Sequence, residues 1–202
     1  MPATAMVMTV PVNGNVSSPL DALVGRARAG DMAAFDGLMQ AVEERVVSIA
    51  WRMLGTKDQA QDAAQEVFLR MFRHLATYRT GSDFRSWVSG ITVNVCRDLM
   101  RKRGSAASLD EEREAGRLPE PSAPPATEED LLAGERWSAV ARALQTLPPN
   151  ERAAIVLRDL EGLPTEEVAR ILGSSPTTVR SQISTGRAKV RAFCDRFFGG
   201  MR

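Results

Sequence analysis

Between Pro176 and Arg202 the chain carries six basic residues and one acid, Asp195. Within that segment Val179, Ile183, Gly186, Val190, Phe193 and Phe197 recur at helical steps of three and four, which predicts one apolar stripe. The free face then offers Thr177, Thr178, Arg180, Ser181, Ser184, Arg187 and Arg191, with Gln182 and Lys189 at its flanks. Hydroxyl, amide and guanidinium groups on one exposed helical face are the groups that read base edges and neutralise phosphates. The preceding residues fit the same purpose. Thr165 is placed to cap a short helix with Val168, Ala169, Ile171 and Leu172 inward. Gly173-Ser174-Ser175 makes a tight turn, and Ser175 caps the second helix with Pro176 at its first position. That is the layout of a helix-turn-helix. A solvated helix pair in any bundle has the same outline, but the basic excess and the Ser/Thr-rich start favour nucleic acid.

A second group of residues suits unpaired bases. The loop Tyr78 to Asp83 is followed by Phe84-Arg85-Ser86-Trp87 and then by Asn94, Arg97 and Arg101. Rings stack on bases, an amide reads a base edge and guanidinium groups hold phosphates. Phe84 and Trp87 also have core spacing, so Tyr78, Asn94 and Arg97 are the better contact candidates. A third polar face holds Asp58, Asp62, Gln65, Glu66, Arg70 and Arg73. By itself it is equally an ordinary solvated face with an i,i+4 pair from Glu66 to Arg70.

These residues require helices throughout, and the periodicity supplies them. Residues 1–19 lack periodicity and are expected to form a disordered tail. Ser18-Pro19-Leu20-Asp21 reads as a helix start, and Gly30 stops that helix. Asp31 can cap a longer helix with Phe35, Leu38, Met39, Val42, Val46, Ile49, Ala50, Met53 and Leu54 inward, ended by Gly55. A third helix over about 56–75 buries Ala60, Ala63, Ala64, Val67, Phe68, Met71, Phe72 and Leu75. A fourth, with Phe84, Trp87, Val88, Ile91, Val95 and Leu99 inward, ends in Arg101-Lys102-Arg103-Gly104. Residues 104–130 read as a flexible acidic linker with four prolines. Helical pattern resumes near Glu128 with Leu131, Leu132, Trp137, Val140, Ala141 and Leu144. After Pro148-Pro149, Asn150 is placed to cap a short helix through Leu160. No alternating strand pattern occurs, so the expected fold is all-α: two helical modules, 20–103 and 131–202.

Composition sets the outer limits. The chain has 202 residues, 44% hydrophobic and 25% charged, which fits a globular protein and excludes a collagen-like or wholly disordered one. No apolar run approaches the ~18 residues of a membrane span. No Lys or Arg precedes Arg26, so the start lacks the basic character of a secretory signal, and the cytoplasm is the expected location. Net charge is +1, unevenly spread: net +3 over 21–104, −6 over 105–134 and +4 over 135–202. Two cysteines, Cys96 and Cys194, and the single His74 compose no metal site or CxxC motif; buried structural cysteine is the expectation for the thiols. There is no P-loop, dinucleotide turn or catalytic triad, so neither catalytic residues nor cofactors are expected.

Taken together, these motifs resemble a known family. Asp62-Ala-Ala-Gln65-Glu66-Val-Phe68-Leu-Arg70, Tyr78-Arg79, Phe84-Arg85-Ser86-Trp87 and Ile91-Thr-Val-Asn94 are similar to region 2 of the extracytoplasmic-function sigma factors. Leu147-Pro148-Pro-Asn-Glu151-Arg152, Leu160-Glu-Gly162-Leu163, Glu166-Glu167-Val168-Ala169 and Thr178-Val179-Arg180-Ser181 resemble their region 4. Each motif is weak alone; both sets, in this order, are specific.

The resemblance implies a dissociable subunit of bacterial RNA polymerase. Region 2 would hold the largest polymerase subunit through Asp62, Gln65, Glu66, Leu69, Arg70 and Arg73. It would also recognise and melt the −10 element with Tyr78, Arg79, Ser82, Asp83, Trp87, Asn94, Arg97 and Arg101, binding the non-template strand. Region 4 would read the −35 duplex with Thr177, Thr178, Arg180, Ser181, Gln182, Ser184, Arg187, Lys189 and Arg191, and touch the flap of the second-largest subunit. An anti-sigma factor is a further implied partner. The chain departs from the family's common Gly-Thr-Val-Arg-Ser-Arg pattern: Thr177 stands for Gly, Gln182 and Thr185 for Arg, and Gly186 for Ala. Gln pairs with adenine where Arg prefers guanine, so the −35 sequence read here should differ. The alternative is a stand-alone regulator that binds duplex DNA as a dimer; an all-α adaptor is a third class.

Overall fold

A computed structural model describes residues 19–79, 82–106 and 128–199, and the side chains of 104–106 and 128–133 fall outside that description. The expected tail, most of the expected linker, and Leu131 and Leu132 therefore lie outside the described residues or side chains. Every described element is helical. In order these are α1 (Pro19–Arg28), α2 (Met32–Leu54), α3 (Lys57–His74), a 3₁₀ turn (Leu75–Thr77) and α4 (Phe84–Ala106). There follow α5 (Glu128–Gln145), α6 (Pro149–Ile155) running into a π turn (Val156–Leu160), α7 (Thr165–Leu172) and α8 (Pro176–Gly199). The all-α class and both modules agree with the periodicity. α4 continues to Ala106 and α5 starts at Glu128.

Capping explains most boundaries. Asp31 accepts from Ala34 N at 3.1 Å and starts α2, and Thr56 accepts from Gln59 N at 3.4 Å and starts α3. Gly55, at φ 88°, turns the chain between them. Two expected caps are not used. Pro148, rather than Asn150, occupies the N-cap position of α6, and Pro164, rather than Thr165, that of α7. Proline already holds the extended backbone that such a position needs, so no side-chain cap is required.

In the N-terminal module α2, α3 and α4 pack around Leu38, Val46, Ile49, Met53, Val67, Met71 and Val88, each fully buried. α4 is buried on more than the expected stripe. Ser86, Ser89, Thr92, Val93 and Cys96 are also inside. Ser89 and Thr92 can be there because each donates its hydroxyl to the carbonyl one turn back, Arg85 O and Val88 O. Burial pushes the Cys96 thiol up to about 12, so it stays protonated at neutral pH.

The second face of α4 is covered by the C-terminal module. Ile171 of α7 packs on Gly90, where an added Cβ would lie 3.2 Å from its Cγ1. The two modules share one continuous core, and their seam is polar at the end of α2. The last carbonyls of a helix have no partner within it. Here Gln145 Nε2 donates to Arg52 O at 2.9 Å, and Arg152 Nη1 donates to Met53 O. Arg152 is 6% exposed and also donates to Gln145 Oε1 at 2.7 Å, Gln145 O at 2.7 Å and Leu147 O at 3.1 Å. Desolvation lowers its pKa to about 10, which leaves it cationic at pH 7 against the negative end of the α2 dipole. Beside it Glu161 takes Arg45 Nη2 at 2.7 Å and Arg52 Nη1 at 3.0 Å.

Replacing Arg152 by Ala strips four acceptors of a donor in a site closed to water. Urea unfolding of Arg152→Ala should show a loss of about 3 kcal/mol. Arg158→Ala, with a single bond to Leu163 O at 3.2 Å, should lose about 1 kcal/mol.

Candidate nucleic-acid interface

The helix-turn-helix forms as its residues require. Gly173 takes a left-handed conformation, φ 62°, and Ser174 N returns to Ala169 O at 2.9 Å. Ser175 Oγ accepts from Thr178 N at 3.1 Å, which starts α8. Val179, Ile183 and Gly186 face inward. Gly186 is explained by its neighbour: an added Cβ would come within 2.9 Å of Ile155 Cγ1.

The free face of α8 is divided. Thr177, Thr178, Arg180, Ser181 and Ser184 are exposed on its first two turns, and Arg191 is exposed further on. Arg180 Nη2 lies 3.2 Å from Glu166 Oε1, a pair in which both side chains are more than half exposed and which is therefore weak. Arg187 and Lys189 leave this face on either side. Arg187 makes a two-pronged bond to Asp159 at 2.8 and 2.5 Å, and Lys189 reaches both oxygens of Glu151 at 2.9 Å. They anchor α8 to α6 and the π turn. Gln182 departs from expectation: it is half-buried, and its Oε1 is shut off from solvent with no hydrogen-bond partner.

The loop before α4 corrects another expectation. Tyr78 is 2% exposed and is not available for contact. Its ring packs against Phe84 at 5.3 Å and Trp87 at 5.4 Å, and its hydroxyl donates to Ser82 O. Desolvation, followed by the nearby Asp21 carboxylate, pushes the phenol up to about 12. As the lone tyrosine before a polar loop it read as a surface ring; the aromatic trio shows it to be a core residue with a polar tip. Asp83 is the N-cap of α4, accepting from Arg85 N at 3.2 Å, Ser86 N at 3.1 Å and the Ser86 hydroxyl. Arg79, Ser82 and Asp83 are exposed.

Trp87, Asn94, Arg97 and Arg101 do share one stripe of α4, at steps of seven, three and four. The first three are half-buried and Arg101 is exposed. Arg101 pairs with Asp98 at 3.0 Å. Arg97 Nη2 donates to Asn150 Oδ1, 3.0 Å away in the C-terminal module.

On α3, Asp62, Gln65, Leu69 and Arg73 are exposed, Leu69 at 51%. Glu66 and Arg70 instead build the bundle: they pair at 2.7 Å, and Arg70 crosses to Asp98 of α4 at 3.1 Å. Periodicity alone missed Phe72, which was expected inside. It is 54% exposed, one edge against Phe35 at 5.1 Å. Its position beside Leu69 was the signal, since two large apolar groups on a polar stripe mark a contact surface. Among the described residues no group of His, Cys, Asp and Glu could hold a metal ion, and no helix is long and apolar enough to cross a membrane.

These placements separate core from surface experimentally. Tyr78→Ala should cost about 3 kcal/mol in urea unfolding. Arg79→Ala, exposed on the same loop, should leave the midpoint within about 0.5 kcal/mol of the parent.

Residues 38–106 match the family model described as Sigma-70 region 2, and residues 137–190 the one described as Sigma-70, region 4. The chain is 36% identical over 168 residues to the ECF RNA polymerase sigma factor SigE of Mycolicibacterium smegmatis, covering 81% of this chain and 64% of that protein. It is 32% identical over 176 residues to the ECF RNA polymerase sigma-E factor of Escherichia coli K12, covering 83% of this chain and 90% of that one. In fold it is similar to the sigma factor RpoE in its complex with the anti-sigma factor NepR from Bartonella quintana. That likeness has a TM-score of 0.64 at 22% identity and covers 79% of this chain and 95% of that one.

Proposed function

We propose, from the premise that the chain belongs to the extracytoplasmic-function sigma factors, that it is an alternative sigma subunit directing promoter-specific initiation by bacterial RNA polymerase. The observation that carries this reading is the presence of two different exposed polar faces on two modules of one chain. One, Asp62, Gln65, Leu69, Phe72 and Arg73 on α3, has the apolar centre and charged rim of a protein contact. The other, Thr177 to Ser184 on α8, has the composition of a base-reading helix.

Each part has a distinct physical task. The α3 face docks on the largest subunit of core enzyme. The first turns of α8 enter the major groove of a −35 element, where Arg180 exchanges its exposed carboxylate partner for DNA. Arg187 and Lys189 hold α8 in place from behind, so fewer cations reach phosphate than the sequence offers and the salt dependence is correspondingly shallow. The α4 stripe of Trp87, Asn94, Arg97 and Arg101 receives the melted non-template strand of a −10 element. Unstacking a base costs a few kcal/mol, which a prepared pocket offsets, so this chain need not hydrolyse anything. Weak binding by each module suffices, because core enzyme fixes their spacing and the tether supplies effective concentration. An anti-sigma partner and a cytoplasmic location belong to the same proposal.

Run-off transcription with core enzyme on promoter fragments tests it. RNA should appear only when both chain and core are present; failure on every template of the source genome overturns the reading. Leu69→Asp should reduce co-purification with core at least about tenfold, with an unchanged unfolding midpoint. Arg180→Ala should weaken −35-dependent initiation about tenfold.

A further inference from the structure

Gln182 sits at the edge of the base-reading face of α8, and half of its amide is turned away from that face. It stands three residues after Val179 and four before Gly186, both buried, and four after Thr178 and three before Thr185, both exposed. α6 approaches this flank of α8 closely. A Cβ on Gly186 would meet Ile155 Cγ1 at 2.9 Å, and Lys189, seven residues beyond Gln182 on the same stripe, is tied to Glu151. The Gln182 side chain is half-buried, with Oε1 closed to solvent and without a hydrogen-bond partner, whereas Nε2 is not closed off. The amide thus turns its N–H donors outward and its one acceptor inward. We infer that Gln182 is a donor-only specificity residue: on the −35 duplex it selects a keto base, through guanine O6 or thymine O4, over the amino bases adenine and cytosine. The inference deepens the proposed sigma reading and rests on it.

The chemistry of the groove turns this placement into a choice of base. A free glutamine reads adenine with both ends of its amide, the oxygen accepting from N6 and the nitrogen donating to N7. An oxygen shut behind the helix face cannot accept from N6, so that pairing is lost. Guanine O6 and thymine O4 are acceptors and ask only for a donor, whereas adenine N6 and cytosine N4 set a second donor against it. Turning the amide over would put Oε1 outside, but it would bury two N–H groups in place of one carbonyl. Buried N–H groups without partners are rarer in folded proteins than under-satisfied carbonyls, so the observed orientation is the cheaper one. The surroundings leave the contact to the amide. The next cation along this stripe, Lys189, is drawn to Glu151 and away from the groove. A neutral donor offers a weaker contact than the two-pronged grip of an arginine on guanine, so the preference should be about fivefold.

Initiation from a randomised −35 library tests this with the full chain and core enzyme. The library is built on a promoter fragment that the parent transcribes, each template carries a transcribed barcode, and the barcodes of the RNA are sequenced. The parent should enrich guanine or thymine over adenine and cytosine about fivefold at one position of the element. Gln182→Met keeps the length of the side chain and removes its donors; it should erase the enrichment at that position and leave the other positions as they are. Gln182→Lys presents donors alone and should keep the keto preference there. Adenine enrichment by the parent at that position would show two-ended reading, a loss spread evenly over all sequences would show a phosphate contact, and an unchanged Gln182→Met profile would show a purely internal role. Each overturns the inference. If Gln182→Met lowers the urea midpoint, Gln182→Lys decides: loss of the keto preference with donors retained overturns the inference, and its retention supports it. If parent and variants initiate on no template, the sigma reading itself has failed, a distinct outcome that takes this inference with it.

Discussion

The last turn of α2 ends in carbonyl groups that its own helix cannot satisfy, and the C-terminal module satisfies them. Gln145 takes Arg52 O and Arg152 takes Met53 O. The rest of the architecture depends on this. Gly55 must turn left-handed to expose those carbonyls, and it lies so close to Gln145 that an added Cβ would fall 2.8 Å from Oε1. Arg152 must be inside to reach them, and a buried cation is tolerable only with its acceptors supplied. Those acceptors come from the turn between α5 and α6, which sets where α6 starts. An ordinary end effect of a helix thereby becomes the register mark between two modules.

Burial of a charged residue does not make the seam strong. Taking Arg152, Arg52 and Glu161 out of water offsets most of what their pairing contributes. Desolvation is the main cause of the lowered pKa of both Arg52 and Arg152. The apolar part of the seam belongs to the core that runs through both modules, with Ile171 over Gly90 as its closest approach to α4.

Much of this was legible in the sequence, and its limits have physical causes. Long amphipathic elements, the glycine stops at Gly55 and Gly173 and the caps Asp31 and Ser175 are local signals, and each appears where expected. Phe72 and Gln182 were misread because a helical period marks a stripe but not its width, and Tyr78 because a lone tyrosine before a polar loop has no periodicity to show that it is buried. α3 is exposed one position earlier than its apolar run suggests, and α8 is buried one position beyond it. The inner faces of α4 were hidden for a related reason. Ser86, Ser89, Gly90 and Thr92 look like surface, yet their small volume is what lets helices approach from both sides. Packing between modules left no periodic trace, because the residues that make it sit far apart in sequence, 53 positions for Arg97 and Asn150 and 93 for Arg52 and Gln145.

The division of the basic residues on α8 carries the last step. A recognition helix must be rigid in its own module and loosely held where it meets DNA. Arg187 and Lys189, themselves 59% and 45% exposed, pair with carboxylates whose side chains are 23% exposed at Asp159 and 16% at Glu151. Arg180 pairs with Glu166, which is 69% exposed. Salt screens all three pairs, because each cation is about half exposed or more, and the Arg180 pair, exposed on both sides, is screened most. The same residue types, a few positions apart on one helix, therefore differ in placement: two tie the helix to α6 and the π turn, and one pairs with an exposed carboxylate of α7. Counting arginines along the segment cannot separate these roles, because the partner carboxylates lie on other helices.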